Sequence, residues 1–347
     1  MLAVCLVPGV PAAKQEPRGV VAASVGDRVV LVDPAAAAVR SFEAGPVAWL
    51  FPAPGGLLFA PDLVHGTTTV IDLRAGRVAQ RMDKVTMPRF GALADRYVVV
   101  AGDVLVVGWP DRALLARIEA GIRYPWQSFV SRDAAVVVVF ERRHDGGVPP
   151  ALWLVDLVEH RVVQRVPLDP HALRVAMVTS LGLIAVAEGE KGVALLDAGT
   201  LLPVARLTPP GRAVDVAWSG VEKRLLVASG RDGTGSVLGF ELGTKKGKLR
   251  SKETRPVALG SPVTHLALSP DETWAAAAAE SGELVVFRVD RGEARPLPAL
   301  DGDPRDLVWC DPERPGPLLS QWSVSPGGEI TARPTPAFGG RRPPGTP

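Results

Sequence analysis

Short apolar runs that recur at an interval of forty-odd residues constrain the fold of this chain more than any other feature. The clearest unit consists of residues 182–187, a turn, and residues 192–197. The runs are rich in Val, Leu and Ala and are broken by Gly, Pro and Asp, with no amphipathic helical windows between them, which is typical of all-β proteins. Most units end their middle run on an acidic residue: Asp33, Asp72, Asp111, Asp156, Asp197, Glu241 and Asp290.

The spacing of these acidic residues predicts the architecture. Successive differences are 39, 39, 45, 41, 44 and 49 residues, which is the length of a β-propeller blade. A carboxylate at the end of a strand can accept backbone N–H bonds in a tight turn. We therefore predict four-stranded antiparallel blades in which these acidic residues form turns between strands.

The segment from residue 263 to residue 290 resembles the WD-repeat family. The phrase LALSPDETW, residues 266–274, stands where that family has a hydrophobic strand, a Ser-Pro-Asp turn and the next strand. The Gly-His dipeptide is absent, and Val289-Asp290 replaces the closing Trp-Asp. The phrase VALLDAGT, residues 193–200, looks more like the YVTN-type bacterial propellers. The resemblance covers residues 19–333 and implies a propeller that presents its loops to partner proteins.

The number of blades follows from the number of middle strands. Eight are counted, the last at residues 328–333, so the sequence favours eight blades. Seven is the alternative, and it would leave one terminal hairpin outside the ring. We expect the two ends of the chain to pair, because an open ring would expose strand edges.

Three segments are predicted along the chain. Residues 1–18 form a leader or an edge strand; the apolar run 2–7 resembles a truncated secretory signal, but no basic residues precede it. Residues 19–333 form the propeller. Residues 334–347 are rich in proline, have no apolar pattern and are predicted to be disordered. A cytoplasmic location is favoured, and export is the alternative if residues 1–13 are a truncated signal.

Composition argues against several classes of function. Lys and Arg number 39 against 37 for Asp and Glu, a net charge of +2, which gives no field strong enough to indicate nucleic acid or an anionic membrane. The two cysteines, Cys5 and Cys310, provide neither a disulfide framework nor the spacing of a zinc site. No stretch approaches the roughly 18 apolar residues of a membrane helix.

A polar ring is predicted in the central channel. The residue before the apolar core of each innermost strand is Ala48 in the first unit and polar in the next six: Arg89, Gln127, Arg174, Asp215, His265 and Asp306. Equivalent strand positions in successive blades face the same way, so these side chains share one depth of the channel.

The ring has two interpretations. Asp215 and Asp306 flanking His265 would suit proton transfer or a metal. Alternatively, the ring is a half-solvated wall in which Arg174 and Asp215 pair. The wall is favoured, because the charges alternate in sign and no nucleophile motif is present. We therefore assign no catalytic, cofactor-binding or metal-binding residue and expect no enzymatic activity.

Two segments are predicted to contact partners. The first is the basic cluster of residues 245–252, with Lys245, Lys246, Lys248 and Arg250. It has no aromatic residue to stack a base, so a solvated hairpin that can dock an acidic protein surface is favoured over nucleic acid. The second is the loop of residues 141–150, because long loops on a rigid scaffold carry specificity; it contains Arg142, Arg143 and His144.

The sequence therefore predicts a non-catalytic scaffold that binds other proteins through its loops and channel rim. One alternative is a propeller enzyme of the quinoprotein, lactonase or hydrolase kind, which would use Asp215, His265 and Asp306. Another is a nucleic-acid-associated propeller, which would use the basic cluster.

Overall fold

The computed structural model describes most of the chain between residues 16 and 332. The described ranges are 16–47, 49–62, 64–83, 88–90, 96–108, 113–130, 135–142, 148–231, 233–245, 248–313, 322–324 and 330–332. Within them, all regular elements are β-strands except one short 3-10 turn at Thr179–Leu181. Residues 1–15 of the predicted leader and the whole of the predicted tail lie outside these ranges.

Seven antiparallel sheets, the blades, contain nearly all of the strands. Blade 1 consists of β28 (Pro304–Cys310), β1 (Val20–Val25), β2 (Arg28–Val32) and β3 (Val39–Glu43), and blade 2 of β4 (Phe51–Ala53), β5 (Leu57–Asp62), β6 (Thr67–Asp72) and β7 (Arg77–Met82). Blade 3 consists of β8 (Pro88–Phe90), β9 (Arg96–Gly108) and β10 (Leu114–Ile122), blade 4 of β11 (Pro125–Val130), β12 (Val136–Glu141), β13 (Ala151–Asp156) and β14 (Arg161–Pro167), and blade 5 of β15 (Arg174–Val178), β16 (Leu183–Ala187), β17 (Val193–Asp197) and β18 (Pro203–Leu207). Blade 6 consists of β19 (Arg212–Ser219), β20 (Arg224–Arg231), β21 (Thr234–Lys245), β22 (Lys248–Glu253) and β23 (Val257–Leu259), and blade 7 of β24 (Val263–Leu268), β25 (Trp274–Ala279), β26 (Leu284–Arg288) and β27 (Ala294–Pro296).

The blades form a closed ring around a central channel. The innermost strands contact one another in the order β4, β8, β11, β15, β19, β24 and β28, and β28 contacts β4 to close the ring.

The apolar runs of the sequence are continuous because both faces of a blade are covered by its neighbours. In β25, Ala276 and Ala278 pack into the cluster shared with blade 1, whereas Ala275 and Ala277 pack into the cluster shared with blade 6.

The propeller has seven blades, so the favoured count of eight is wrong and the alternative is correct. The innermost strand β28 pairs with β1, from Val20↔Cys310 to Val25↔Pro304, and the N-terminal strands complete its blade. The eighth predicted strand, represented by β30 (Ile330–Ala332), pairs with β29 (Trp322–Val324) in a separate two-stranded sheet. The predicted pairing of the two ends of the chain is confirmed.

The acidic residues between strands form turns as predicted at four of the seven positions. At each of the four, Oδ1 accepts the backbone N–H groups of the residues two and three positions later, at 2.8–3.1 Å: Asp33, Asp72, Asp156 and Asp197. Glu241 accepts from Arg224 and Asp290 accepts from Arg288 instead. Asp111 lies outside the described residues.

Candidate functional site

Four of the predicted ring residues line a cavity of about 380 Å³ in the central channel: Gln127, Arg174, Asp215 and Asp306. His265 belongs to the same ring of innermost strands, in β24, and is 9% exposed. Arg89 lies in β8 and pairs with Val98, but its side chain lies outside the described part of the chain. The five ring residues whose side chains are described thus lie on the innermost strands β11, β15, β19, β24 and β28, and their role in binding stays a prediction.

Three ring side chains join one blade to the next. The Gln127 Oε1 atom accepts the backbone N–H of Val175 at 2.9 Å. Asp215 Oδ2 accepts from Leu266 at 2.9 Å, and its Oδ1 accepts from its neighbour Val216 at 2.7 Å. The bonds to Val175 and Leu266 satisfy backbone donors in the following innermost strand, where an unpaired N–H group would be costly.

The same link closes the ring at the junction of blades 1 and 2. Asp306 Oδ2 accepts the backbone N–H of Leu50 at 2.8 Å. In the other two links, the N–H donor, Val175 or Leu266, is the residue directly after the ring residue of its blade. Leu50 is the corresponding donor in blade 2. Trp49 is therefore the ring residue of blade 2, one position later than Ala48, which lies outside the described residues.

Burial shifts the pKa values of two titratable groups in the ring, Asp215 and His265. Burial raises the pKa of Asp215 to about 6, and the nearby Arg174 charge opposes this rise. Burial lowers the pKa of His265 to about 3, assisted by Arg174, while a hydrogen bond to the backbone of Arg305 acts in the opposite direction. His265 is consequently a neutral imidazole near pH 7 that contacts backbone.

The described ring groups include the metal ligands that the sequence suggests, with Asp215 and Asp306 flanking His265. Among the described residues, no group of three or more His, Cys, Asp or Glu side chains is arranged to hold a metal ion. The ion pair in the channel joins Arg174 Nη2 to Asp306 Oδ1 at 3.8 Å, whereas the wall interpretation predicted a pair between Arg174 and Asp215. The ring residues chiefly hold the blades together.

An aromatic and cationic group at the channel was missed by the sequence analysis. The indoles of Trp49 and Trp126 meet edge to face, with ring centroids 5.1 Å apart. The guanidinium carbons of Arg142 and Arg174 lie 5.3 and 5.8 Å from the centroid of the Trp126 ring. Trp126 directly precedes the ring residue Gln127 in the sequence. That position was the one signal from which the aromatic group could have been predicted.

The basic cluster forms a hairpin that extends blade 6. Its strands are the second half of β21 and β22, with Cα partners Glu241↔Lys252, Gly243↔Arg250 and Lys245↔Lys248. Cross-strand partners share a face and side chains alternate along each strand. One face therefore carries all of the described cations of the hairpin: Lys245, Lys248, Arg250 and Lys252. Lys246 lies outside the described residues.

The opposite face of the hairpin packs on the protein through two leucines. Leu242 is 6% exposed and belongs to the core between blades 5 and 6, against which Leu249 also packs. Glu241 stands at the base of the basic face and pairs with Arg224 at 2.9 Å and with Lys252 at 3.8 Å. The basic face is thus held outward by the packing of the face behind it.

The predicted contact loop after β12 is described only at its ends. Arg142 donates its backbone N–H to the carbonyl oxygen of Tyr124, and its half-buried side chain lies beside Trp126 at the channel. Arg143 and His144 lie outside the described residues. Arg142 is consequently placed at the channel rim.

Comparison with solved structures identifies the class of protein as a β-propeller. The chain is similar to a chain of the mitotic checkpoint complex, with a TM-score of 0.59, 15% identity, and coverage of 83% of this chain and 98% of that one. It is also similar to the Cps50 (Swd1) β-propeller domain of Myceliophteria thermophila, with a TM-score of 0.59, 14% identity, and coverage of 77% and 91%.

A third similar structure is hydrazine synthase of Kuenenia stuttgartiensis, with a TM-score of 0.53, 15% identity, and coverage of 70% of this chain and 76% of that one. Identities of 14–15% show the fold alone. No protein-family model and no curated protein sequence matches the chain. The propeller fold implied by the resemblance is confirmed, and membership of the WD-repeat or YVTN-type families stays a prediction.

The described part of the chain contains no helix with the length and apolar character needed to cross a lipid bilayer.

Proposed function

We propose that this propeller is a non-catalytic scaffold that holds an acidic segment of a partner protein on the basic face of the hairpin formed by β21 and β22. The observation that carries the proposal is the placement of four cations on one face of a hairpin whose other face packs against the core through Leu242 and Leu249. Four like charges close together repel one another, and an acidic segment would relieve that repulsion.

The charge balance of the hairpin supports an acidic partner. Lys245, Lys248 and Arg250 have no carboxylate partner among the described residues, and Lys252 shares Glu241 with Arg224. Several cations elsewhere on the ring do have such partners, for example Arg28 with Asp301 at 2.9 Å and Lys191 with Asp169 at 2.5 Å. The basic face is thus a local excess of charge in a chain whose net charge is only +2.

A protein segment is favoured over nucleic acid by the side chains present. No aromatic residue stands on the basic face to stack a base. A similar propeller occurs in the mitotic checkpoint complex, a multiprotein assembly, which agrees with a role in holding other proteins. Four cations give the number of charge contacts expected of a modest, salt-dependent interaction.

Fluorescence anisotropy with a labelled decamer of glutamate tests the proposal. We expect saturable binding that weakens as salt is raised, and at least tenfold weaker binding by the triple variant Lys245→Ala, Lys248→Ala and Arg250→Ala. The control variant Arg18→Ala, Arg77→Ala and Arg161→Ala removes the same charge from exposed positions elsewhere and should bind like wild type.

Two results would overturn the proposal. Equal losses in the two triple variants would show that only net charge matters. Tighter binding of a single-stranded DNA decamer than of the peptide, abolished by the hairpin variant, would assign the hairpin to nucleic acid. In the native cell, partners captured by wild type and by the control variant, and lost by the hairpin variant, are the expected result.

A further inference from the structure

The mouth of the central channel gathers three arginines at the side where the innermost strands begin. Arg174 is the first residue of β15 and Arg212 is the first residue of β19. Arg142 follows β12 and lies against Trp126, as does Arg174. Burial lowers the pKa of Arg142, and the charges of Arg174 and Arg212 lower it further.

The two acids of the described channel ring are engaged chiefly with backbone, and only one of them pairs with an arginine of this group. Both oxygens of Asp215 accept backbone N–H bonds, from Val216 and Leu266. Asp306 uses Oδ2 for the backbone of Leu50 and meets Arg174 only at 3.8 Å. Among the described residues, no carboxylate lies within ion-pair distance of Arg142 or Arg212. The guanidinium groups of Arg142 and Arg212 therefore have no carboxylate partner among the residues that the structure describes.

Apolar surface lies directly beside these donors. Trp126 and Trp49 both line the cavity of about 380 Å³, and the edge-to-face contact between them fixes their planes. A cavity of this size is at the lower end of the range that holds small organic ligands. Indole faces next to guanidinium groups suit a molecule that has both a flat carbon skeleton and an anionic end.

We propose that the channel mouth binds a small organic carboxylate, with its acid group held by Arg142 and Arg174 and its carbon skeleton resting on the Trp126 indole. Guanidinium groups bind carboxylates through paired N–H bonds. Arg212 adds positive charge that draws the anion to the mouth. The proposal is independent of the hairpin, because the two sites share no residue.

Calorimetric titration of the full chain with benzoate tests this site. Benzamide has the same ring without the charge, and inorganic phosphate has charge without the ring. We expect saturable binding of benzoate, and binding of benzamide and of phosphate that is at least tenfold weaker. Absence of benzoate binding, or equal binding of benzoate and benzamide, would overturn the proposal. Phosphate binding as tight as that of benzoate would overturn the role of the indole.

Variants assign the binding to named residues. Arg142→Gln should weaken benzoate binding at least tenfold, while Arg161→Gln, on the outer strand β14, should leave it unchanged. Arg142 makes no ion pair with another described residue, so its replacement should leave the unfolding temperature within a few degrees of wild type. Arg174→Gln is the second variant. Unaltered benzoate binding by folded Arg142→Gln protein would contradict the assignment.

Discussion

The central channel and the basic hairpin are both rich in charge, yet they use it in opposite ways. In the channel, Asp215 and Asp306 are at least nine-tenths buried and accept backbone N–H groups of the next blade. On the hairpin, Lys245 and Lys248 are exposed and make no ion pair with a described residue. Burial and available partners, rather than residue type, decide whether a charged side chain stabilises the fold or remains free to bind.

This contrast has an energetic basis. A buried carboxylate that satisfies backbone donors cannot be removed without leaving those donors unpaired, which costs about 1–3 kcal/mol for each group. An exposed cation gains little from its surroundings, because water and salt screen its charge. Equal changes in charge at the two regions should therefore have very different consequences for folding.

The largest effect is expected at the junction of blades 1 and 2. Asp306→Ala should lower the free energy of unfolding by about 3–5 kcal/mol, because it removes the acceptor of the Leu50 N–H and the ion-pair partner of Arg174. Chemical denaturation measures this change. Asp301→Ala, at a side chain 91% exposed, is the control and should change stability by less than about 0.5 kcal/mol. Similar values for the two variants would refute the channel's structural role.

The next effect concerns pH and Asp215. Its folded pKa of about 6 lies above the ordinary value of 3.8, so between these values the folded state holds more protons than the unfolded state. The stability from this group is fully present below pH 4 and is lost as pH rises through 6, by about 3 kcal/mol. We expect the difference in unfolding free energy between wild type and Asp215→Asn to show this decline from pH 4 to pH 7. A difference independent of pH would contradict it.

A smaller effect should separate the two faces of the hairpin. Leu242→Ala should cost about 2 kcal/mol, because Leu242 belongs to the core between blades 5 and 6. It should also weaken binding of the glutamate decamer, although no charge is removed, since the basic face loses its support. Thermal unfolding and anisotropy on the same samples measure both. Unchanged binding would show that the basic face binds the decamer without the packing of Leu242 behind it.

The smallest effect is expected from the cations themselves. Replacing both Lys245 and Lys248 with Ala should change the free energy of unfolding by less than about 0.5 kcal/mol. The same two substitutions should weaken binding of the glutamate decamer measurably by fluorescence anisotropy. If the double variant instead loses stability like Asp306→Ala, the hairpin charges belong to the fold and the contrast between the two regions fails.

Local features of the fold could be predicted from the sequence. The turns at Asp33 and Asp156 follow from a carboxylate and the next three residues, so they need no knowledge of the rest of the chain. The ring positions from Gln127 to Asp306 followed from strand alternation, which has a fixed period of two. Blade 2 was misaligned by one residue at Trp49.

Features that depend on distant segments could not be predicted. End-to-end pairing was predicted, but the blade count was wrong because the C-terminal strand that pairs with β1 is β28, nearly 290 residues away. Nothing local to residues 304–310 distinguishes the strand that closes the ring from the first strand of an eighth blade. The meeting of Arg142 and Arg174 on Trp126 likewise brings together three separate strands or loops. Only the closed ring places these side chains at one mouth.

The most direct test of the seven-bladed ring is thermal unfolding of a chain that ends at Glu313. Every strand of the seven blades lies before that residue, and Arg74 of blade 2 holds the final segment through the Pro312 carbonyl oxygen. We predict a single cooperative transition within a few degrees of the full chain. Loss of the cooperative transition would show that residues beyond 313 complete the ring, and it would contradict closure by β1 and β28.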